Sequence, residues 1–222
     1  MRIGIMGGTF DPIHNGHLFI AEESRVLFAL DRILFIPNGS PPHKRDYVLT
    51  PAAFRYAMCE IAVRFNPAFA CSPLELHRVG RSYTVDTLLL LREQNRDDEL
   101  FYITGVDAVA DILTWKRHEE VIRLARFIAA TRPGYTLTRL AESLPASYLE
   151  RILLLDSTAL GISSTDIRRR VSYGLPIRYI TPDGVVDYIE RHRLYADTGH
   201  GCTDEADPEA VSSTVAQLGE QD

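Results

Sequence analysis

The sequence predicts an α/β fold: a doubly wound parallel sheet with helices on both faces and further helices toward the C-terminal end. Three observations carry this. Short apolar, β-rich segments alternate with helical patterns along most of the chain. The first apolar run, Ile3–Met6, passes into a glycine turn at Gly7-Gly8 and then into a helical pattern near Gly16. A chain of 222 residues, 45% hydrophobic and 24% charged, can bury one large core without dividing into domains. Strand, helix and strand in succession require right-handed crossovers, which lay the strands parallel and cover both sheet faces.

Strands are expected at Arg2–Met6, Arg32–Ile36, Phe69–Ser72, Leu100–Thr104, Arg126–Thr131 and Arg151–Leu155, each a short apolar run. Helices are expected between them, around Gly16–Leu30, Pro51–Phe65, Val85–Glu93, His118–Leu124 and Leu137–Leu144. Two more, near Ser164–Tyr173 and Pro182–Arg191, close the fold. Pro182 suits a first helical turn, with Thr181 as its cap. No internal repeat or linker interrupts residues 1–195, which are expected to form one domain. From 196 to 222 the composition turns to Gly, Ser, Thr, Asp and Glu, and this tail is expected to be disordered.

Ligands of such sheets bind beyond the carboxyl ends of the strands, where the strand order reverses. The chemically rich segments obey that rule. Gly7–His17 follows the first strand, Pro37–Lys44 the second and Gly105–Asp107 the fourth; Arg132 follows the next, and Ser163–Arg168 the last.

In the first of these, His14 and His17 flank Gly16 at the start of a helix. Residues three apart share a helical face, so both imidazoles can address one bound group. Glycine between them keeps Cβ bulk away from it. Backbone N–H groups and the positive end of a helix dipole at such a junction suit a phosphate, here a nucleoside triphosphate. The phosphate-loop patterns G-x-G-x-x-G and G-x-x-x-x-G-K-[ST] are both absent. The pair could also be half of a metal site, but no C-x-x-C or H-E-x-x-H supplies the remaining ligands.

The net charge of −6 gives no support to nonspecific nucleic-acid or membrane binding. A triphosphate binder of this charge must concentrate its cations locally, and Lys44, Arg132 and Arg168 are the candidates. Cys59, Cys71 and Cys202 are too few and scattered for a disulfide framework or zinc cluster, and reduced thiols are expected, with Cys59 and Cys71 packed. No secretory signal or stretch of ~20 apolar residues is visible, so a cytoplasmic protein is expected. No oligomeric state follows from the sequence.

The string Gly7-Gly8-Thr9-Phe10-Asp11-Pro12-Ile13-His14-Asn15-Gly16-His17 resembles the signature of the HxGH nucleotidyltransferase superfamily. Its longer form is similar to the nicotinate-nucleotide adenylyltransferase family. Later segments match that family in order: Pro41-Pro42-His43-Lys44, Arg81 to Thr87, Gly105-Val106-Asp107 with Trp115, and Ile162 to Arg168. The likeness spans residues 1 to about 195.

The resemblance implies a Rossmann-like fold and transfer of AMP from ATP to nicotinate mononucleotide, giving deamido-NAD and pyrophosphate. His14, His17 and Arg168 would be catalytic. Gly8, Thr9, Phe10, His14, His17, Gly105, Asp107, Ile162, Ser163, Ser164, Thr165 and Arg168 would bind ATP. Gly7, Gly8, Lys44, Tyr83, Thr84, Trp115 and Arg132 would bind the mononucleotide, with Trp115 stacked on the pyridine ring and the Tyr83 and Thr84 amides on its carboxylate. Mg²⁺ is expected to arrive with ATP, without a dedicated protein cage; Asp11 could touch its shell or cap the turn. Two alternatives stand beside this reading: a sibling enzyme using nicotinamide mononucleotide or another phosphomonoester such as phosphopantetheine, and a nucleotide sensor without activity.

Overall fold

The computed structural model describes residues 1–40, 48–76, 78, 80–131, 140–156 and 160–196. Lys44 with its neighbours 41–43, Arg132, Cys202 and the whole of the expected tail beyond 196 lie outside the described residues. Six strands form one sheet: β1 (Arg2–Gly8), β2 (Arg32–Pro37), β3 (Phe69–Cys71), β4 (Glu99–Gly105), β5 (Arg126–Ala130) and β6 (Ile152–Leu155). Every pairing is parallel, in the order β3-β2-β1-β4-β5-β6. The chain therefore winds outward from β1 in one direction, returns, and winds outward in the other. The reversal falls between β1 and β4, where such sheets bind ligands.

Successive strand residues point to opposite faces, and here both faces are buried. Met6, Phe35, Phe101, Ile128 and Leu155 enter one core, against α1 (Asn15–Leu27) and α2 (Ala52–Val63). The last two helices, which we number α7 (Ser164–Ser172) and α8 (Asp183–Arg191), cover the same face. Their neighbours Ile5, Ile36, Leu100, Phe127 and Ala129 enter the other core. That core is closed by α3 (Thr84–Gln94), α4 (Val106–Ala110), α5 (His118–Leu124) and α6 (Ala146–Leu149). Among the described residues no helix is long and apolar enough to cross a membrane.

Each expected strand is present to within two residues at either end. The short helices α4 and α6 were not expected, and only the end of the expected Leu137–Leu144 helix, from Leu140, is described. Helix α1 stops at Leu27 rather than Leu30 because Ala29 turns left-handed at φ 48° and Leu30 N–H reaches back to the Arg25 carbonyl at 2.9 Å. This is a Schellman stop made without glycine. Thr181 does not cap α8: Pro182 occupies the cap position, and the Thr181 hydroxyl donates to the Ile13 carbonyl at 2.8 Å. Satisfying a buried loop carbonyl outweighs a cap that solvent can replace. Cys59 is buried and Cys71 half-buried, and both are free thiols.

Candidate active site

The turn after β1 is shaped by packing. A Cβ at Gly7 would lie 2.6 Å from the Tyr102 hydroxyl, so a side chain there would have to displace the end of Tyr102. Phe10 is left-handed at φ 49° and its ring is buried at 2% exposure, edge-on to His17 with centroids 5.0 Å apart. Its side chain therefore anchors the turn, and only its backbone could meet a ligand. Beneath the turn, the fully buried Arg55 of α2 donates to the Thr9, Gly39 and Thr50 carbonyls and to Asn38 Oδ1 at 2.7–3.3 Å. One guanidinium thus ties the ends of β1 and β2 together and places a permanent positive charge under the junction.

His14 is the residue before α1 rather than part of its first turn: its backbone is extended, at φ −150° and ψ 168°. The His14 N–H donates to Nδ1 of His17 at 3.2 Å, and the rings stack with centroids 3.6 Å apart and planes 23° from parallel. Accepting that bond leaves His17 with its proton on Nε2, which makes Nε2 the donor. Glycine at position 16 suits the pair itself, since a Cβ there would come 3.0 Å from His14 Nδ1 and the ring would have to give way. Burial pulls His14 down from 6.5 to about 4 and His17 well below its ordinary value, helped in His17 by the adjacent His14. Both rings are therefore neutral near pH 7. Among the described residues, His14 Nδ1 is buried and has no hydrogen-bond partner.

Helix α7 docks its N-terminus on this turn. Ser164 donates to the Pro12 carbonyl at 2.8 Å, and Arg168 donates to the Asp11 carbonyl at 2.7 Å and the Thr165 hydroxyl at 3.2 Å. Ser163 caps the helix by accepting the Asp166 N–H at 3.1 Å. The three hydroxyls expected to face phosphates, those of Ser163, Ser164 and Thr165, are thus engaged in structure. The Ser164 and Thr165 N–H groups at the helix start and the positive charge of Arg168 are what an anion would meet there. Ile162 lies against Gly16, 3.7 Å from where its Cβ would stand. Asp11 is buried, with its carboxylate accepting from the Tyr195 hydroxyl.

On the other side of Gly8 opens a cavity of about 430 Å³. It is lined by Gly7, Gly8, Tyr83, Thr84 and Trp115, which are five of the seven residues expected to hold the mononucleotide. The other two, Lys44 and Arg132, lie outside the described residues. Tyr83 is the extended residue before α3, and Thr84 opens the helix, so the helix-start N–H groups stand at the cavity. Trp115 is half-buried, edge-on to Tyr102 and Phe127 with centroids 6.0 and 6.1 Å away. The Lys116 ammonium sits 4.2 Å from the Tyr83 ring centre and 3.4 Å from Asp86.

Among the cavity residues that the sequence reading missed are Asn38, Glu75, Ser82, Tyr102 and Lys116. Asn38 and Glu75 could have been suspected from their places just beyond β2 and β3. Nothing local marks Tyr102, which reaches the cavity from within β4 and whose hydroxyl burial pushes up to about 12. Gly105 and Asp107 are exposed at the head of α4, between cavity residues Thr104 and Ala108 but not themselves in the lining. A Cβ at Gly105 would meet open space. The fold thus gathers two groups around Gly8: the histidines with Ile162, Ser164 and Arg168, and the cavity with Tyr83, Thr84 and Trp115.

Comparison with known proteins places the chain in a family. The cytidylyltransferase-like family model matches residues 5–170. A protein of Moorella thermoacetica named "Probable nicotinate-nucleotide adenylyltransferase" is 51% identical over 198 residues, covering 87% of this chain and 91% of its own. One of the same name from Frankia alni is 50% identical over 190 residues, covering 86% and 98%. Among solved structures, Plasmodium falciparum nicotinic acid mononucleotide adenylyltransferase complexed with NaAD shares the fold. Its TM-score is 0.72 at 22% identity, over 87% of this chain and 97% of that one. The chain belongs to the cytidylyltransferase-like family and, within it, to the nicotinate-nucleotide adenylyltransferases.

Proposed function

We infer that this protein transfers AMP from ATP to nicotinate mononucleotide, giving deamido-NAD and pyrophosphate. The observation that carries the reading is the stacked, neutral pair His14 and His17 at the sheet's reversal point, next to a cavity lined by Tyr83, Thr84 and Trp115. Relatives near 50% identity bear the matching name.

The attacking oxygen is that of a phosphate monoester, whose second pKa is roughly 6. It is ionised near neutral pH, so no general base is needed. Catalysis then consists of aligning nucleophile, α-phosphorus and leaving group and stabilising the charge that develops. A neutral His17 with its proton on Nε2 can donate to a phosphate oxygen without surrendering the proton. His14 lies stacked against it, and their proximity to each other disfavours two imidazolium charges until an anion arrives. Arg168 and the α7 N-terminus would face the leaving pyrophosphate. Asp107 would accept from ribose hydroxyls, and Gly105 would let the adenosine approach the backbone.

The carboxylate of nicotinate would sit at the α3 start, where N–H groups and the helix dipole favour an anion over an amide whose NH₂ opposes a donor. Trp115 offers a flat face for the pyridine ring. Lys44 and Arg132 would neutralise phosphate charge. Among the described residues no group of three or more His, Cys, Asp or Glu could hold a metal. Mg²⁺ would arrive bound by ATP oxygens and water; the Asp11 carboxylate accepts from the Tyr195 hydroxyl. Use of ATP also supports a cytoplasmic location.

Parallel assays with ATP and each of nicotinate mononucleotide, nicotinamide mononucleotide and phosphopantetheine test the substrate. Preferred turnover of the acid is expected. Equal or faster turnover of the amide would remove the acid-specific reading, and no turnover of any acceptor would favour a sensor.

A further inference from the structure

Tyr195 belongs to none of the motifs after which the site is built, yet its hydroxyl ends inside the turn between β1 and α1. The chain reaches this point through a Schellman stop on α8. Arg193 turns left-handed at φ 50°, Leu194 N–H bonds the Ile189 carbonyl at 3.0 Å, and the Leu194 side chain is buried. Tyr195 is itself left-handed, at φ 64°. A tyrosine pays for that backbone only where tertiary contacts fix it. The contact is a hydrogen bond of 2.7 Å from the phenol to Asp11 Oδ1.

Asp11 is 1% exposed and gathers several segments. Its other carboxylate oxygen accepts from the Thr50 N–H at 3.5 Å, and its carbonyl accepts from Arg168 at 2.7 Å. The turn it occupies carries Phe10, whose ring abuts His17, and it ends at His14. Resting on the function proposed above, we propose that Tyr195 is a positioning residue for adenylyl transfer: by holding the Asp11 carboxylate, it sets the turn that aims His14, His17 and Arg168 at the triphosphate.

A phenol is suited to this task. It donates one bond to a buried carboxylate, and desolvation together with the neighbouring Asp11 charge holds its own pKa well above the ordinary value. The donor therefore stays protonated throughout the working pH range. Without it, Asp11 Oδ1 would be buried with no partner, and the turn would shift to find one. Displacement of aligned groups by a fraction of an ångström is enough to slow an in-line transfer many-fold.

The test is steady-state kinetics of the full chain carrying Tyr195→Phe, with Tyr173→Phe, an exposed tyrosine on the same side of the sheet, as control. Tyr195→Phe is expected to lower kcat or raise the KM for ATP by about tenfold or more. The KM for nicotinate mononucleotide should change less than threefold, since the cavity touches neither Tyr195 nor Asp11. A purely structural role would lower the amount of folded enzyme without splitting the two KM values. The double variant Asp11→Asn/Tyr195→Phe removes the unpaired charge, is expected to fold where the single variant does not, and is expected to show the same loss. Wild-type kcat and ATP KM in whichever of the two variants folds would overturn the proposal. Failure of the wild-type enzyme to release pyrophosphate would instead overturn the function on which it rests.

Discussion

The imidazoles of His14 and His17 stack with centroids 3.6 Å apart, and the backbone N–H of the first fixes the tautomer of the second. Both groups are desolvated and neutral, which equips them to donate hydrogen bonds to an anion. The same desolvation makes the apo protein sensitive to acid.

His14 titrates at about 4 when folded and at 6.5 when unfolded. The unfolded chain therefore takes up this proton first as pH falls. Stability is intact above about pH 6.5 and declines toward pH 4, and His17 shifts in the same direction. The expected loss from His14 is about 3 kcal/mol at pH 4, from the size of its shift. Denaturant unfolding near pH 7 and about pH 4.5 should show a drop that His14→Asn reduces by about 2 kcal/mol. An unchanged drop in that variant would mean that His14 is not buried neutral.

Gly16→Ala tests the geometry of the pair. Alanine is the better helix former by up to about 1 kcal/mol, but its Cβ would press on the His14 ring at 3.0 Å. Stability should move by less than about 1 kcal/mol while kcat falls roughly tenfold, because the stacked rings must shift. Loss of folding in proportion to activity would assign Gly16 to packing alone.

Gly105→Ala separates packing from binding in the opposite way. Gly105 has φ −67° and ψ 148°, which any residue adopts, and its Cβ would meet nothing within 4 Å. The unfolding midpoint should stay the same or rise, while the KM for ATP rises several-fold if adenosine uses that space. An unaltered KM would free Gly105 from any ligand role.

The doubly wound sheet was legible because both faces are buried, which writes continuous apolar runs into β1, β4 and β5. Local spacing brought His14 and His17 together, as the sequence of His14-Asn15-Gly16-His17 suggests, whereas Ser163, expected at a phosphate, caps a helix. The site was illegible where tertiary contact decides. Thr181 has the sequence of a cap but bonds Ile13, a residue remote in sequence and near in space. Phe10 reads as one more ligand-facing residue of a motif, yet its ring is core. Arg55 gives no signal, because its acceptors are mostly backbone carbonyls, which every residue has. Tyr102 reads only as a strand residue, although its hydroxyl reaches the site.

The most direct measurement is pyrophosphate release from ATP and nicotinate mononucleotide by His17→Ala, set against wild type under saturating substrate. If the Nε2 proton of His17 stabilises the transferring phosphate, the rate falls about a hundredfold or more, the 2.7–4 kcal/mol typical of one such donor. A His17→Ala enzyme that is folded and turns over at the wild-type rate would contradict the assignment of catalysis to the histidine pair.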